Sequence, residues 1–232
     1  MRVIGGKFRS RSLLAPVGWQ TRPTSDRLRE TLMNVLENGA VNRLHGAKLL
    51  DLYAGTGAVG IEALSRGAQS VTFVERDAKT MATLEANCAQ MGLAREVHLV
   101  RAAVAHWLRR VVLHGNTGAQ TGQTAFELVF LDPPWDDADG YTQTLGLLGA
   151  DAASLLTADA WVIAEHRRKT PLPERFGCLA RWRLLEQGDA ALSFYQPSTS
   201  VSNSQTDGSR SREEDGFLPI SSSACHATPD IC

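Results

Sequence analysis

Four consecutive residues, Asp132-Pro133-Pro134-Trp135, have the types needed for chemistry on a flat, nitrogen-containing group. The Asp132 carboxylate and the Pro133 carbonyl are acceptors that could hold both N–H bonds of an exocyclic amine and expose its delocalised lone pair. The prolines stiffen the loop and remove competing donors, and Trp135 offers a face on which a flipped base can stack. A Pro-rich turn with an aromatic side chain packed beneath it is the alternative interpretation.

A second candidate is the stretch Leu49–Gly60, where a short apolar run ends in a Gly-rich turn and a helix pattern begins at Ala58. Strand, turn and helix in this order form the first βα unit of a nucleotide-binding sheet. The residues from Gly55 to Gly60 match G-x-G-x-x-G, which is a weak signal on its own. Gly55 and Gly57 would let the backbone approach a ligand, and Gly60 would let helix and strand pack closely.

Two carboxylates indicate which ligand the Gly-rich turn would bind. Asp51 lies four residues before Gly55, where it would repel a pyrophosphate but attract a cationic ligand such as S-adenosylmethionine. Glu75 follows Gly55 by 20 residues, the spacing at which an acidic side chain meets the ribose hydroxyls of an adenosine-containing ligand. The sequence therefore predicts S-adenosylmethionine as the cofactor. A purely structural βα turn and a dinucleotide site are the alternatives.

The elements that must position these residues alternate between strand and helix over residues 48–165, which predicts a parallel sheet with helices on both faces. The first strand is the apolar run that contains Asp51. Further strands are predicted at Ser70–Glu75, Glu96–Val100, Glu127–Leu131 and Ala160–Glu165. Helices are predicted at Ser25–Glu37, Ala78–Met91 (capped by Asp77), Val104–Leu113, Tyr141–Leu148 and around Ala152–Leu156. Asp51, Glu75 and Asp132 all end strands, so they should line one crevice.

A closing antiparallel hairpin is predicted from Leu179–Leu185 and Ala190–Tyr195, joined by a turn at Gln187-Gly188-Asp189. This variation is typical of class I methyltransferases rather than of dehydrogenases. The predicted fold is therefore α/β, a Rossmann-like sheet of the class I S-adenosylmethionine-dependent methyltransferases with a C-terminal antiparallel hairpin. A small basic hairpin-helix extension, with strands at Arg2–Ile4 and Arg9–Leu14, precedes it.

Charged residues are unevenly distributed along the 232-residue chain, although its net charge is only −1. Residues 1–30 carry seven Lys or Arg against two acidic residues, a net charge of +5, and this basic end suggests an RNA partner. The residues expected to contact phosphates are Arg9, Arg11, Arg22, Arg27 and Arg29. A solvated basic surface is the alternative. We predict an RNA-binding extension at 1–40, a methyltransferase domain at 41–197 and a disordered Ser-rich tail at 198–232.

Other classes of protein are disfavoured by composition. No apolar stretch reaches membrane-spanning length, and the N-terminus lacks a signal-peptide core. The four cysteines form no C-x-x-C pair, so neither a disulfide framework nor a metal site is expected. We expect a cytoplasmic monomer.

The sequence resembles the bacterial RsmD family of 16S ribosomal RNA guanine-N2 methyltransferases over residues 1–196. The resemblance is carried by Arg2–Gly6, Arg22–Leu32, Asp51–Gly60, Glu62–Ala68, Asp132–Trp135 and Tyr195-Gln196. It implies methylation of the N2 amine of one guanine in 16S rRNA, within an assembled or assembling small subunit. Catalysis is then expected at Asp132, Pro133, Pro134 and Trp135. Cofactor binding is expected at Asp51, Tyr53, Ala54, Gly55, Gly57, Glu75, Ala103 and Asp132.

Two features depart from the family pattern. The family usually has an acidic residue after the third strand to hold the adenine amine, and Ala103 stands there in this chain. The serine-rich tail after Pro197 also lies outside the pattern. Three alternatives stay open: an N-methyltransferase of adenine or a glutamine amide, a non-catalytic RNA-binding assembly factor, and, least favoured, a dinucleotide oxidoreductase.

Overall fold

The computed structural model describes residues 1–15, 25–114, 125–150 and 155–198. Its helices are α1 (Asp26–Glu37), α2 (Ala58–Ser65), α3 (Ala78–Gln90), α4 (Val104–His114) and α5 (Ala138–Ala150), with a 3₁₀ helix at Gly6–Phe8. Its strands are β1 (Lys48–Leu52), β2 (Ser70–Glu75), β3 (Val97–Arg101), β4 (Phe126–Leu131), β5 (Leu156–Arg167), β6 (Arg175–Phe176), β7 (Leu179–Gln187) and β8 (Ala190–Pro197).

These strands form one sheet in the order β3-β2-β1-β4-β5-β8-β7-β6. Strands β1 to β5 are parallel to one another, whereas β8, β7 and β6 continue the sheet beyond β5 in antiparallel fashion. The central strands β1 and β4 are buried almost throughout, which explains their nearly continuous apolar sequence. The predicted Rossmann-like α/β sheet with a C-terminal antiparallel hairpin is therefore confirmed.

Helices cover both faces of the sheet. The N-terminal residues, α1, α2 and α3 pack on one face, in a core that includes Leu28, Ile61 and Phe73. Helices α4 and α5 pack on the other face, in a core that includes Leu108 and Leu145. Within the described ranges, no helix combines the length and apolar character needed to cross a membrane.

Two local predictions differ from the structure. Leu156 does not end a helix but begins β5, because its buried side chain joins the core and its backbone pairs with Phe126. The N-terminal hairpin forms without regular strands: its arms are joined by an antiparallel bridge between Arg2 and Ser12 and by three backbone hydrogen bonds, with the 3₁₀ helix between them. Predictions for residues 16–24, 115–124, 151–154 and the tail after 198 fall outside the described residues.

A buried carboxylate on α2 holds the N-terminal segment against the sheet. Glu62 is fully buried and accepts hydrogen bonds from the backbone N–H groups of Ile4 and Gly5, both at 2.7 Å. Its other partners are the Nε atoms of Arg66, at 2.8 Å, and of Arg29, at 3.7 Å. The segment is therefore docked by charge-assisted hydrogen bonds, which are stronger than neutral ones.

Arg29 has a different role from the one expected. Its side chain is fully buried, and its Nη2 donates to the Arg2 carbonyl at 2.6 Å and to Asp26 at 2.9 Å. The prediction that Arg29 contacts RNA phosphates is therefore wrong. Arg29 lies three and four residues before Leu32 and Met33, which places it on the inward stripe of α1.

Replacing Glu62 by Gln should lower the free energy of unfolding by about 3–5 kcal/mol, because Arg29 would lose its buried negative partner. The Gln amide would also direct N–H groups at backbone N–H donors. Urea unfolding at neutral pH measures the effect. Glu30→Gln on the exposed side of α1 is the matched control and should change stability by less than about 0.5 kcal/mol. Equal stabilities of the two variants would contradict this account of Glu62.

Candidate active site

A cleft of about 970 Å³ opens at the carboxyl ends of β1, β2 and β4. The three predicted carboxylates, Asp51, Glu75 and Asp132, all line it. This is the edge at which α/β sheets bind ligands. The cleft is also lined by seven other residues expected from the sequence: Tyr53, Ala54, Gly55, Ala103, Pro133, Pro134 and Trp135. Gly57 is not among the lining residues.

The loop between β1 and α2 is tightly turned. Tyr53, Gly55 and Gly57 have positive φ angles of 59°, 57° and 82°, a conformation that is uncommon for a residue with a side chain such as Tyr53. Gly60 packs directly on Phe73, whose ring would collide with any added Cβ. The predicted close packing of helix and strand at Gly60 is therefore confirmed.

Asp51 lies at the inner end of the cleft and is only 2% exposed. Its Oδ2 accepts a hydrogen bond of 3.0 Å from the Gly60 N–H in α2. Burial raises the pKa of Asp51 to about 8, against the lowering effect of that hydrogen bond, and the nearby charge of Glu75 raises it further. A cationic ligand would favour the ionised carboxylate.

Glu75 bridges the Gly-rich loop and the start of α3. Its Oε2 accepts from the Gly55 N–H at 3.0 Å, and its Oε1 accepts from the Asp77 N–H at 2.8 Å. A carboxylate has about four acceptor positions, so two further donors can still bind. Asp77 caps α3 by accepting from the Thr80 N–H at 2.8 Å, as predicted.

Helix α5 supports both loops of the cleft through hydroxyl groups. The Tyr53 hydroxyl lies 2.8 Å from the Thr144 Oγ1. The buried Tyr141 hydroxyl donates to the Glu165 carbonyl at 2.9 Å and lies 3.4 Å from the Pro133 carbonyl. Burial raises the pKa of the Tyr141 phenol above its ordinary value, so it stays a donor. Tyr141 thus ties the Asp132–Trp135 loop to β5.

An arginine also stabilises this loop. The Arg167 guanidinium, at the end of β5, lies 5.1 Å from the centroid of the Trp135 ring. Its Nη2 is 3.4 Å from the Asp136 carboxylate. Trp135 lines both the main cleft and a second cavity of about 190 Å³, which Arg27 also lines.

Several lining residues were missed from the sequence. They are Arg76, Asp77, Asp139, Gln143 and Arg167. Arg167 begins the basic stretch Arg167-Arg168-Lys169, which is visible in the sequence, whereas Asp139 and Gln143 of α5 gave no signal. Ala103 offers the cleft no polar side chain, and its carbonyl accepts from the Trp107 N–H at 3.0 Å in the first turn of α4.

The remaining arginines expected to bind RNA lie in different places. Arg27 is exposed beside Trp135. Arg9 and Arg11 are exposed on the N-terminal segment, which is bound to Ser65 at the end of α2 remote from the cleft. Helix α2 is eight residues long, so its two ends lie about 10 Å apart. Arg22 lies outside the described residues.

Comparisons with known proteins agree with this architecture. The family model described as Conserved hypothetical protein 95 matches residues 1–196. A Bacillus subtilis (strain 168) protein, provisionally named rRNA methyltransferase YlbH, is 35% identical over 84% of this chain and 98% of its own length. Ribosomal RNA small subunit methyltransferase D of Escherichia coli (strain K12) is 36% identical over 71% of each chain.

Solved structures give the same result. An Escherichia coli protein provisionally named methyltransferase yhhF is 30% identical, with a TM-score of 0.66 over 86% of this chain and 99% of its own. TrmN from Thermus thermophilus, at 19% identity, has a TM-score of 0.54 over 74% of this chain and 48% of its own, and shares the fold. The chain therefore belongs to the Conserved hypothetical protein 95 family and is of the RsmD type.

Proposed function

We propose that the protein transfers a methyl group from S-adenosylmethionine to the exocyclic N2 amine of a guanine in 16S rRNA. One observation carries this proposal: the Asp132–Trp135 loop and the Gly-rich loop with Glu75 line the same cleft of about 970 Å³. A methyl donor and an amine bound by these two groups of residues would be neighbours.

The residues of the cleft fit S-adenosylmethionine. Glu75 retains acceptor capacity for two ribose hydroxyls after binding Gly55 and Asp77. Asp51 supplies a carboxylate for the cationic part of the cofactor. Tyr53, Ala54, Gly55 and Ala103, which line the cleft, would form the rest of its surroundings. Gly57 does not line the cleft and would act by shaping the Gly-rich turn. Bound there, the cofactor supplies an electrophilic methyl group on a sulfonium.

The Asp132–Trp135 loop would bind and orient the target base. The Asp132 carboxylate and the Pro133 carbonyl would accept the two N–H bonds of the amine and expose its lone pair. We expect the proton that the amine loses to pass to Asp132 or to water. Pro133 and Pro134 keep the loop stiff, and Trp135 would stack on the guanine. Positioning and fixed dipoles would then supply most of the rate acceleration.

The choice of small-subunit ribosomal RNA is supported by the name of a relative, whereas the choice of guanine follows from the family resemblance of the sequence. The Escherichia coli relative is named for methylation of small-subunit ribosomal RNA, and the exposed Arg9, Arg11 and Arg27 would contact phosphates. Incubation of small-subunit particles with the protein and S-adenosylmethionine, followed by mass analysis of nucleosides, tests the proposal. N2-methylguanosine supports it. Methyladenosine, or no methylated nucleoside, would contradict it.

Glu75→Ala should weaken S-adenosylmethionine binding about tenfold to a hundredfold, because the ribose would lose hydrogen bonds to a charged group. Calorimetric titration measures the affinity, and the melting temperature checks that the variant is folded. Glu85→Ala, which removes an exposed carboxylate from α3, is the control and should bind normally. Unchanged affinity in folded Glu75→Ala would reject the assignment.

Cofactor affinity should rise with pH between about 6 and 8 and level off above 8. Asp51 in the free protein has a pKa of about 8, whereas a bound cation would keep it ionised, so binding below pH 8 releases a proton. The increase is at most about tenfold per pH unit. Calorimetry in buffers of different ionisation enthalpy detects the proton. Asp51→Asn should show neither effect, and a flat wild-type profile would contradict this role of Asp51.

Asp132→Asn should slow methyl transfer about 10²–10³-fold, the usual loss for one preorganised transition-state contact. Cofactor affinity should change little. Single-turnover transfer onto small-subunit particles gives the rate. Asp139→Asn is the matched control, since Asp139 is an exposed carboxylate on the wall of the same cleft. A wild-type rate in Asp132→Asn would leave Asp132 as a turn residue only.

A further inference from the structure

We propose that the cavity of about 190 Å³ beside Trp135, called here the Trp135 cavity, binds the RNA backbone next to the target guanine. It lies between the start of α1, Trp135 and the β7–β8 turn. The inference rests on the proposed function, because it takes Trp135 as the stacking surface for the guanine. The ligand class is the sugar-phosphate chain of single-stranded RNA.

The first argument is continuity. Trp135 lines both the main cleft and the Trp135 cavity, so the two spaces meet at its side chain. A nucleotide whose base enters the main cleft is joined to its neighbours by phosphates on either side. A strand that leaves the cleft past Trp135 would enter the Trp135 cavity, which is the concave surface directly beside that residue.

The second argument is charge. Arg27 of α1 lines the Trp135 cavity, and Arg167 at the end of β5 lies over the Trp135 ring. Arg168 and Lys169 follow Arg167, and all four of these cations are exposed. The Arg168 N–H donates to the Asp189 carbonyl at 2.8 Å, which fixes the basic turn to the cavity wall. Cations from two separate elements, Arg27 of α1 and Arg167 at the end of β5, thus lie beside Trp135.

Acidic neighbours do not remove this attraction. Asp136 pairs with Arg167 at 3.4 Å, but the two side chains are 95% and 50% exposed. Such an exposed pair contributes about 1 kcal/mol or less, so a phosphate can replace the carboxylate. Glu165, which also lines the Trp135 cavity, is only 4% exposed, and Asp189 is part of the turn that holds Arg168.

Position separates these cations from those of the N-terminal segment. Arg9 follows Phe8, which is bound to Ser65 at the end of α2, and Arg11 donates to the Gln90 carbonyl at the end of α3. Arg27 and Arg167, in contrast, lie on cavities that Trp135 lines. Arg27 and Arg167 should therefore bind the strand that carries the target, and the N-terminal cations could reach only more distant RNA. The basic stretch Arg167-Arg168-Lys169 would thereby have a function, which is to bind RNA.

Binding of deproteinised 16S rRNA at several salt concentrations tests the site. Arg27→Ala and Arg167→Ala should each reduce the slope of log affinity against log salt by about 0.7, the value for one lost single-strand phosphate contact. Arg27→Lys keeps the charge and should keep the slope. The matched control is Arg175→Ala. Arg175 is exposed on β6, where it pairs with Ala180 of β7. Ala180 precedes Gln187, which lines the Trp135 cavity, by seven positions along β7, or about 23 Å.

Methyl transfer onto small-subunit particles gives a second measure. Arg27→Ala and Arg167→Ala should raise the half-saturating particle concentration about tenfold, as expected for a lost charge-assisted contact, and Arg175→Ala should match the wild type. Equal salt slopes for all proteins, or an equal reduction in Arg175→Ala, would overturn the site. If the wild type transfers no methyl group, the proposed function fails, and the salt slopes still decide the site.

Discussion

The Glu62 carboxylate connects parts of the chain that the sheet alone would not hold together. Helix α2 begins at the Gly-rich loop, and Glu62 on its buried side binds the backbone of Ile4 and Gly5 and two arginines. The N-terminal segment buries Val3 and Leu13 in the core, and the charge-assisted bonds to Glu62 fix its backbone between them against α2. Because α1 carries Arg29 to the same carboxylate, Glu62 also determines where the first turn of α1 meets Trp135.

The order of elements and the cleft could be predicted because local patterns determine them. Strand β4 is a short, mainly apolar run that Asp132 follows directly, and Glu75 follows the Gly-rich turn at a fixed spacing. Parallel strands bring such ends together whatever the details of packing. The Asp77 cap could also be predicted, because its partner Thr80 lies only three residues later in the sequence.

Contacts between distant parts of the chain could not be predicted in this way. Arg29 was expected to be exposed because it is charged, and its partner Glu62 is 33 residues away on another helix. Tyr141 of α5 and Arg167 of β5 contact the Asp132–Trp135 loop from other elements. The periodicity of the sequence does not reveal such contacts. Leu156 was assigned to a helix because its pairing with Phe126 lies outside any local window.

The carboxylates of the cleft have structural partners as well as places for a ligand. Asp51 holds the first turn of α2 through Gly60, and Glu75 holds the Gly-rich loop through Gly55. The loop that would contact the cofactor is therefore held in shape by the same groups that would bind it. A substitution at either carboxylate acts on the loop and on the ligand at once, so melting temperature and affinity have to be measured together.

The Tyr141 hydroxyl has only one proton to donate, and this affects how the Asp132–Trp135 loop could bind a base. The hydroxyl makes a good hydrogen bond to the Glu165 carbonyl, at 2.9 Å, and only a long one to Pro133, at 3.4 Å. An incoming amine can take over the Pro133 oxygen while Tyr141 keeps its better partner. No buried donor is left unsatisfied by the exchange, and the backbone need not move. The loop is preorganised, so little binding free energy is lost to rearranging it.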